Sequence, residues 1–418
     1  MSEKMKQDSI NNIEELRKQF PELSERVYGK PLVYLDNAAT SLRPLSVVDE
    51  WTQMSTKCNA NLHRAVHHLA DIATKKYEDT RAFVARSIGA ASASEIIFTS
   101  GTTDSVNLLA FSFGEAMVKS GDEILVGEAE HHSDIVPWQM MCQRKGAILK
   151  RIPVDDKGQL DLEALKKLLS PRTKLVCVAH ISNVLGIVNP ISKIASIVHS
   201  SGALMLVDGA QGIVHCNVNV QELGADFYAF SGHKVYAAPG TGVLYGRREL
   251  LDQLPPYRGG GEMIQSVSWE HTSYAEVPQR FEAGTQNISG TPTLVPALEL
   301  AGAMNNSSVI KEEESLIRDY VLKEFADRPH IHLFGRPDDI SEKVNLYSFT
   351  VDGAHHEDLA LILDKMGVAV RSGQMCAEPL MDRFGVTGMV RASFAPYNTM
   401  EEARYFIESL HKAVKMLK

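Results

Sequence analysis

The strongest constraint on the fold is a rhythm in the middle of the chain. Short β-rich apolar runs are closed by turn residues and separated by helix-like stretches. "EIIFTS" leads into "GTTDSVNLLAFSFGEAMVKSG", and "DEILVGEAEHH" precedes "SDIVPWQMMCQRKG". "KLVCVAHIS", "ALMLVDGAQ", "ADFYAFSGHK" and "GVLYGRREL" follow, with the helix-like "KIASIVHSSG" between the first two. Strands apolar on both faces and joined through helices pack as a mainly parallel sheet covered on both sides. The predicted fold class is α/β, and ligands in such sheets bind outside the carboxyl ends of the strands.

After about residue 292 the texture changes. A long Ala/Leu/Glu-rich helical stretch is followed by strand-like "EKVNLYSFTV", the helix "HHEDLALILDKMG", strand-like "VAVRSG" and "VRASFAPY", and a final amphipathic helix. At 418 residues the chain exceeds a single core, since cores rarely grow beyond roughly 250–300 residues. The expected division is a large α/β domain over 32–292 and a smaller α+β domain formed by 1–31 with 293–418. Chemistry is expected between them.

A net charge of −9 argues against general nucleic-acid or anionic-membrane binding. The opening "MSEKMKQDSINNIEELRKQF" is polar, without the apolar segment of a signal peptide. Five cysteines (58, 142, 177, 216 and 376) show no CxxC spacing, so neither a disulfide framework nor a zinc cluster is expected. These features predict a cytoplasmic protein. His63, His67 and His68 have spacing compatible with a metal, yet no carboxylate or cysteine completes a site, and none is assigned.

Several strand ends carry residues with chemical potential. "SGHKVYAAPGTG" sets Lys234 after Ser231 and His233; a lysine there is an ordinary surface cation or an amine that takes a carbonyl cofactor as a Schiff base. "LMLVDGAQ" ends on Asp208, either a turn former or a carboxylate held against a pyridine nitrogen, with Gln211 three residues on. "TSGTTDS" places Thr102 and Thr103 at a helix N-terminus, a cap or a phosphate cup. "EAEHHSD" supplies His131, structural or stacked on an aromatic cofactor.

In this order, with Asn183 between them, these features resemble the fold-type I pyridoxal phosphate enzymes of the class V aminotransferase superfamily. Within it the chain is similar to the cysteine desulfurases of the short-loop, SufS/CsdA-like group. The resemblance runs from "YLDNAAT" to "RASFAPYNT" and includes "HRAVHHLA", "EHHSDIVPWQ", "SNVLGIVNP", "VDGAQ", "FSGHK", "RGGGEMI" and "FEAGTQN". It implies pyridoxal 5'-phosphate held by Lys234, with Asp208 on the ring nitrogen, Gln211 on the phenolate oxygen and His131 stacked on the ring. Thr102, Thr103, Ser231 and His233 would bind the phosphate, completed by Thr285 of a second subunit in a homodimer. Arg391, assisted by Asn183, would clamp the substrate carboxylate, and His63 and Arg64 would belong to the active site or the dimer contact.

The resemblance also gives "RSGQMCAEPL" a role. Cys376 would take sulfur from L-cysteine as a persulfide, release alanine, and pass the sulfur to an acceptor protein of the SufE-like or SufU-like kind, for iron–sulfur cluster assembly. Selenocysteine lyase activity could accompany this. Only a thiolate is a competent nucleophile, and Arg371 and His131 are the candidates to activate it. The short connection to Arg391 is expected to keep the persulfide semi-buried. Three departures stand out: Gln374 and Met375 replace two common histidines, Asp104 replaces a common Glu, and Ala237 and Ala238 differ from the usual Gly-Pro pattern. A class V aminotransferase, lyase or epimerase without a thiol step, and a silent scaffold subunit, stay open as alternatives.

Overall fold

The computed structural model describes residues 10, 12–63, 65–336 and 339–417. Arg64 and most of the first eleven residues lie outside the described residues. The six apolar runs become strands β1 (Ile96–Thr99), β2 (Glu123–Gly127), β4 (Thr173–Ala179), β5 (Leu204–Asp208), β6 (Phe227–Ser231) and β7 (Gly242–Gly246). A seventh strand, β3 (Ile148–Ile152), was not legible as one. The sheet order is β1-β7-β6-β5-β4-β2-β3. Only β7 runs against its neighbours.

The period-two alternation of a strand divides its side chains between two faces. Leu125, Val176 and Val178 enter one apolar cluster, while Ile124, Val126, Leu175 and Cys177 enter the other. Burial on both faces explains the near-continuous apolar runs. β3 lies at the sheet edge and carries Lys150 and Arg151, which pair with Glu123 and Glu128 at 2.8 and 2.9 Å. Charges of this kind protect a sheet edge and also disguise the strand in the sequence.

The C-terminal part forms an antiparallel sheet of β8 (Ile331–Phe334), β9 (Leu346–Val351), β10 (Arg371–Gly373) and β11 (Met389–Ser393), in the order β8-β9-β11-β10. Helices Ser308–Ala326, His356–Lys365 and Met400–Leu417 cover it, burying Val321, Phe325, Leu363, Phe406 and Leu410 against the strands. "VAVRSG" divides: Val368–Ala369 pairs in parallel with Val33–Tyr34, and only Arg371–Gly373 joins the sheet. Val33 and Leu35 pack in this C-terminal cluster. Arg17, in the short helix Ile13–Arg17, donates to the Tyr397 carbonyl at 2.7 Å and pairs with Glu402 at 2.9 Å. Among the described residues no helix is long and apolar enough to cross a membrane.

Candidate active site

The segments that leave β1, β2, β4, β5 and β6 meet β10, β11 and the Cys376 loop around a cavity of about 190 Å³. It is lined by Thr102, Thr103, His131, Asn183, Asp208, Ser231, His233, Lys234, Arg371, Cys376 and Arg391.

Helix α1 (Thr102–Met117) begins at this cavity, and no side chain caps its first turn through Gly101. Free N–H groups and the positive end of the helix dipole suit an anion. Ser231 Oγ accepts the Thr102 N–H at 2.8 Å and lies 2.8 Å from Thr102 Oγ1. Thr103 Oγ1 and Ser133 Oγ are 2.8 Å apart, and Ser133 Oγ lies 2.8 Å from His131 Nδ1. Gly101 adopts a φ of +151°, and a Cβ on neighbouring Gly242 would meet Gly101 Cα at 2.4 Å. The close approach of helix and strand depends on this glycine pair.

His131 caps helix α2 (His132–Lys145), its Nδ1 accepting the Ser133 N–H at 3.0 Å. Burial, and then the Lys234 cation, push the imidazole down to about 4, so it is neutral near pH 7. His233 is held down to about 4 by burial and by Lys234. Lys234 closes the 3-10 turn Gly232–Lys234 that follows β6, and its amine takes no hydrogen bond or ion pair among the described residues. Burial lowers its pKa against the opposing pull of Asp208. Asp208, the last residue of β5, accepts the Ala210 N–H at 2.7 Å.

Arg391 sits on β11 and is 2% exposed. It donates to the Asn183 carbonyl at 2.9 Å and pairs with Asp36 at 3.0 Å, while its Nε has no partner among the described residues. The Asn183 amide donates to the Met375 carbonyl at 2.9 Å, so this side chain pins the cysteine loop. The Cys376 carbonyl accepts the His132 N–H at 2.8 Å, and His132 Nε2 accepts the Glu378 N–H at 3.0 Å. Met375 and Cys376 are both left-handed, with φ of +55° and +56°. Met375 is 3% exposed in an apolar cluster with Val184, Leu185, Leu380 and Met389. Cys376 is exposed, where a semi-buried thiol was expected, and the other cysteines are buried or half-buried.

Three residues named from the sequence lie off the cavity wall. Gln211 is buried and donates to the Ala38 carbonyl at 2.9 Å. His63 lies 3.5 Å from Glu78, before the helix that His67 caps, so the three histidines do not share a helical face. Thr285 is exposed on a segment tied down by the buried Arg81–Glu282 pair at 2.6 Å. Asp104 pairs within the chain with Arg258 at 2.5 Å. Ala237 and Ala238 are fully buried, and a Cβ on Gly232 would come within 3.2 Å of Ala237. Sequence reasoning missed Ser133 and Asp36. Ser133 stood inside the quoted "EHHSD", two residues after the helix-capping His131, and Asp36 inside "YLDNAAT".

The Aminotransferase class-V family matches residues 33–406. The chain belongs to that family. Among class-V relatives, a probable cysteine desulfurase of Vibrio cholerae serotype O1 is 44% identical over 97% of this chain and 99% of its own. A cysteine desulfurase of Dickeya dadantii is 43% identical over 97% of each chain. The apo structure of a cysteine desulfurase from Thermococcus onnurineus NA1 superposes with a TM-score of 0.92 at 39% identity, covering 98% of this chain and 100% of that one. The Escherichia coli cysteine desulfurase CsdA, in an S-sulfonic acid form, gives 0.88 at 36% identity with the same coverage. Class-V membership implies pyridoxal phosphate, and the donor set fits it. Hydroxyls and a helix N-terminus suit a phosphate, an unpartnered lysine amine suits a carbonyl, and a buried carboxylate suits a ring nitrogen.

Proposed function

We propose that this class-V chain is a pyridoxal-phosphate-dependent cysteine desulfurase that moves sulfur from L-cysteine onto Cys376. The observation that carries this reading is that Cys376, alone among the five cysteines, lines the cavity shared by Lys234, Asp208 and Arg391.

Thr102, Thr103, Ser231 and His233 would hold the cofactor's phosphate, Asp208 would meet its ring nitrogen and Lys234 its carbonyl carbon. His131, on the same cavity wall, would stack on the ring, and Gln211 would support the site through its bond to the Ala38 carbonyl. Bound pyridoxal phosphate supplies the electron sink that stabilises negative charge at the substrate Cα. Lys234, its proton affinity lowered by burial, would move the Cα proton once the substrate amine has taken its place. The Arg391 guanidinium takes the substrate carboxylate as a charge-assisted pair. Cys376, which shares the cavity with Arg371, attacks the substrate sulfur as a thiolate: the S–S bond of the persulfide forms as the substrate Cβ–S bond breaks, the electron pair stays with the three-carbon fragment, and that fragment takes a proton to become alanine.

The exposed Cys376 then hands its sulfur to an acceptor protein, in a reducing, cytoplasmic setting where five free thiols persist. In this reading residues 32–292 carry the cofactor, and 1–31 with 293–418 carry the cysteine loop. A homodimer brings Thr285 to the phosphate of the partner's site, with His63 at the active site or the dimer contact. The test is alanine and sulfide production from L-cysteine by the purified protein, beside Cys376→Ala. Loss of both products with cofactor absorbance retained is the expected result; surviving sulfide release would overturn the thiol step.

A further inference from the structure

Behind the cavity lies a buried acidic cluster that the reaction above does not use. Asp134, in the first turn of α2, is 0% exposed. Its Oδ1 has one weak donor, the Cys177 thiol at 3.7 Å, and its Oδ2 has none among the described residues. Its side chain is within hydrogen-bonding reach of Asp208. Glu130, 2% exposed, acts on Asp134 through its charge, and its Oε2 has no partner among the described residues.

Two carboxylates in contact are both acceptors, so a hydrogen bond between them exists only when one carries a proton. A buried anion with a single thiol donor carries a desolvation penalty that this weak donor does not offset. Asp208 is better placed to keep the charge: it accepts the Ala210 N–H, faces the cavity and lies in the field of Lys234. The groups facing Asp134 are Asp208, Glu130, Cys177 and, through its field, Lys234. The α2 dipole favours an anion at Asp134, but that effect is about 0.3–2 kcal/mol and is outweighed by burial beside a second carboxylate.

We infer that Asp134 is a neutral carboxylic acid that donates a hydrogen bond to Asp208 and thereby holds Asp208 as the single anion aimed at the cofactor's ring nitrogen. Asp134 is a positioning residue in this scheme, which rests on the cofactor reading above. Burial and the Asp208 charge both push the Asp134 carboxyl well above the carboxylate range, and Glu130 is pushed up to about 8.

The test compares Asp134→Asn, which keeps a donor, with Asp134→Leu, which removes it, in the cofactor-loaded protein at pH 7. The infrared difference between wild type and Asp134→Asn should contain one protonated-carboxyl C=O band belonging to the wild type. Asp134→Asn should hold pyridoxal phosphate within about threefold of wild type. Asp134→Leu should lose roughly tenfold or more in cofactor affinity, the loss of one hydrogen bond to a charged group, and should shift the pH titration of the cofactor's visible absorbance. No carboxyl band in the difference spectrum overturns the inference, as does an Asp134→Asn variant that binds cofactor as weakly as Asp134→Leu. If Asp134→Leu does not fold, the band and the Asn variant decide the matter. Wild-type protein that takes up no pyridoxal phosphate would instead overturn the cofactor reading and leave the band as a direct measure of the Asp134 proton.

Discussion

Arg371 and Arg391 stand directly opposite one another across the antiparallel pair β10–β11, and both line the cavity. Like charges placed this way repel. Asp36 answers one of them, leaving the Arg391 Nε unpartnered and Arg371 without an ion pair among the described residues. The pair therefore favours an incoming anion, and a substrate carboxylate or a thiolate on Cys376 relieves the repulsion.

Arg391→Lys keeps the charge but loses the planar fork that holds Asp36 and the Asn183 carbonyl while offering another edge to the substrate. The loss of a charge-assisted hydrogen bond, about 1.5–3 kcal/mol, should lower kcat/KM for L-cysteine by roughly 10- to 150-fold. Cofactor absorbance should persist. Steady-state alanine formation measures this, and wild-type kcat/KM in the variant would remove Arg391 from the clamp.

Met375 accounts for one of the two missing histidines in physical terms. Its side chain is buried among Val184, Leu185, Leu380 and Met389, whereas Gln374 is exposed and donates to Glu378 at 3.2 Å. Met375→His sets an imidazole with no partner into this apolar cluster and should destabilise the fold by about 1–3 kcal/mol. Gln374→His, on the surface, should change stability by less than about 0.5 kcal/mol. Urea unfolding of the two variants distinguishes them; equal midpoints would show that Met375 does not anchor the loop.

His180 gives a pH signature. It is 5% exposed beside Tyr228, and burial holds it down to about 4. An unfolded histidine takes its proton near pH 6.5, so between about 6.5 and 4 the unfolded chain binds more protons. The contribution of His180 is present above that window and is lost as pH falls through it. His180→Gln should lose less stability than wild type between pH 7 and pH 5, by about 1–2 kcal/mol. Glu130 and Glu314, raised to about 8 and about 7, act in the opposite sense and are common to both proteins. Denaturant unfolding at the two pH values gives the difference, and parallel losses would rule His180 out as its source.

The sheet was legible because burial on both faces writes strands as unbroken apolar runs, and the candidate residues Thr102, His131, Asp208 and Lys234 could be singled out because they stand at or just past the ends of those runs. β3 was hidden by Lys150 and Arg151, whose carboxylate partners Glu123 and Glu128 lie on and just after β2, more than twenty positions away. Asp36 and Asp134 were hidden for a related reason. Each acts on a residue brought to it only by folding, Arg391 in one case and Asp208 in the other. The Asn183–Met375 bond is likewise between segments 192 positions apart. Local pattern shows which elements form, while a side chain's partner depends on the packing of distant elements.

The glycine pair at the start of α1 tests whether that geometry governs cofactor binding. In Gly242→Ala the new Cβ would meet the backbone of Gly101 at 2.4 Å, so β7 or the helix N-terminus has to move. A movement there misaligns the N–H groups and the Thr102–Ser231 contact offered to the phosphate. Gly302, inside helix Leu294–Asn306, is the control, since a Cβ there meets nothing within 4 Å among the described residues. Gly302→Ala should stabilise the protein by up to about 1 kcal/mol and leave cofactor affinity unchanged. Gly242→Ala should weaken pyridoxal phosphate binding by roughly tenfold or more, the scale of one to two lost charge-assisted hydrogen bonds. Fluorescence titration of the apoprotein measures both, and wild-type affinity in Gly242→Ala would show that the phosphate is held elsewhere.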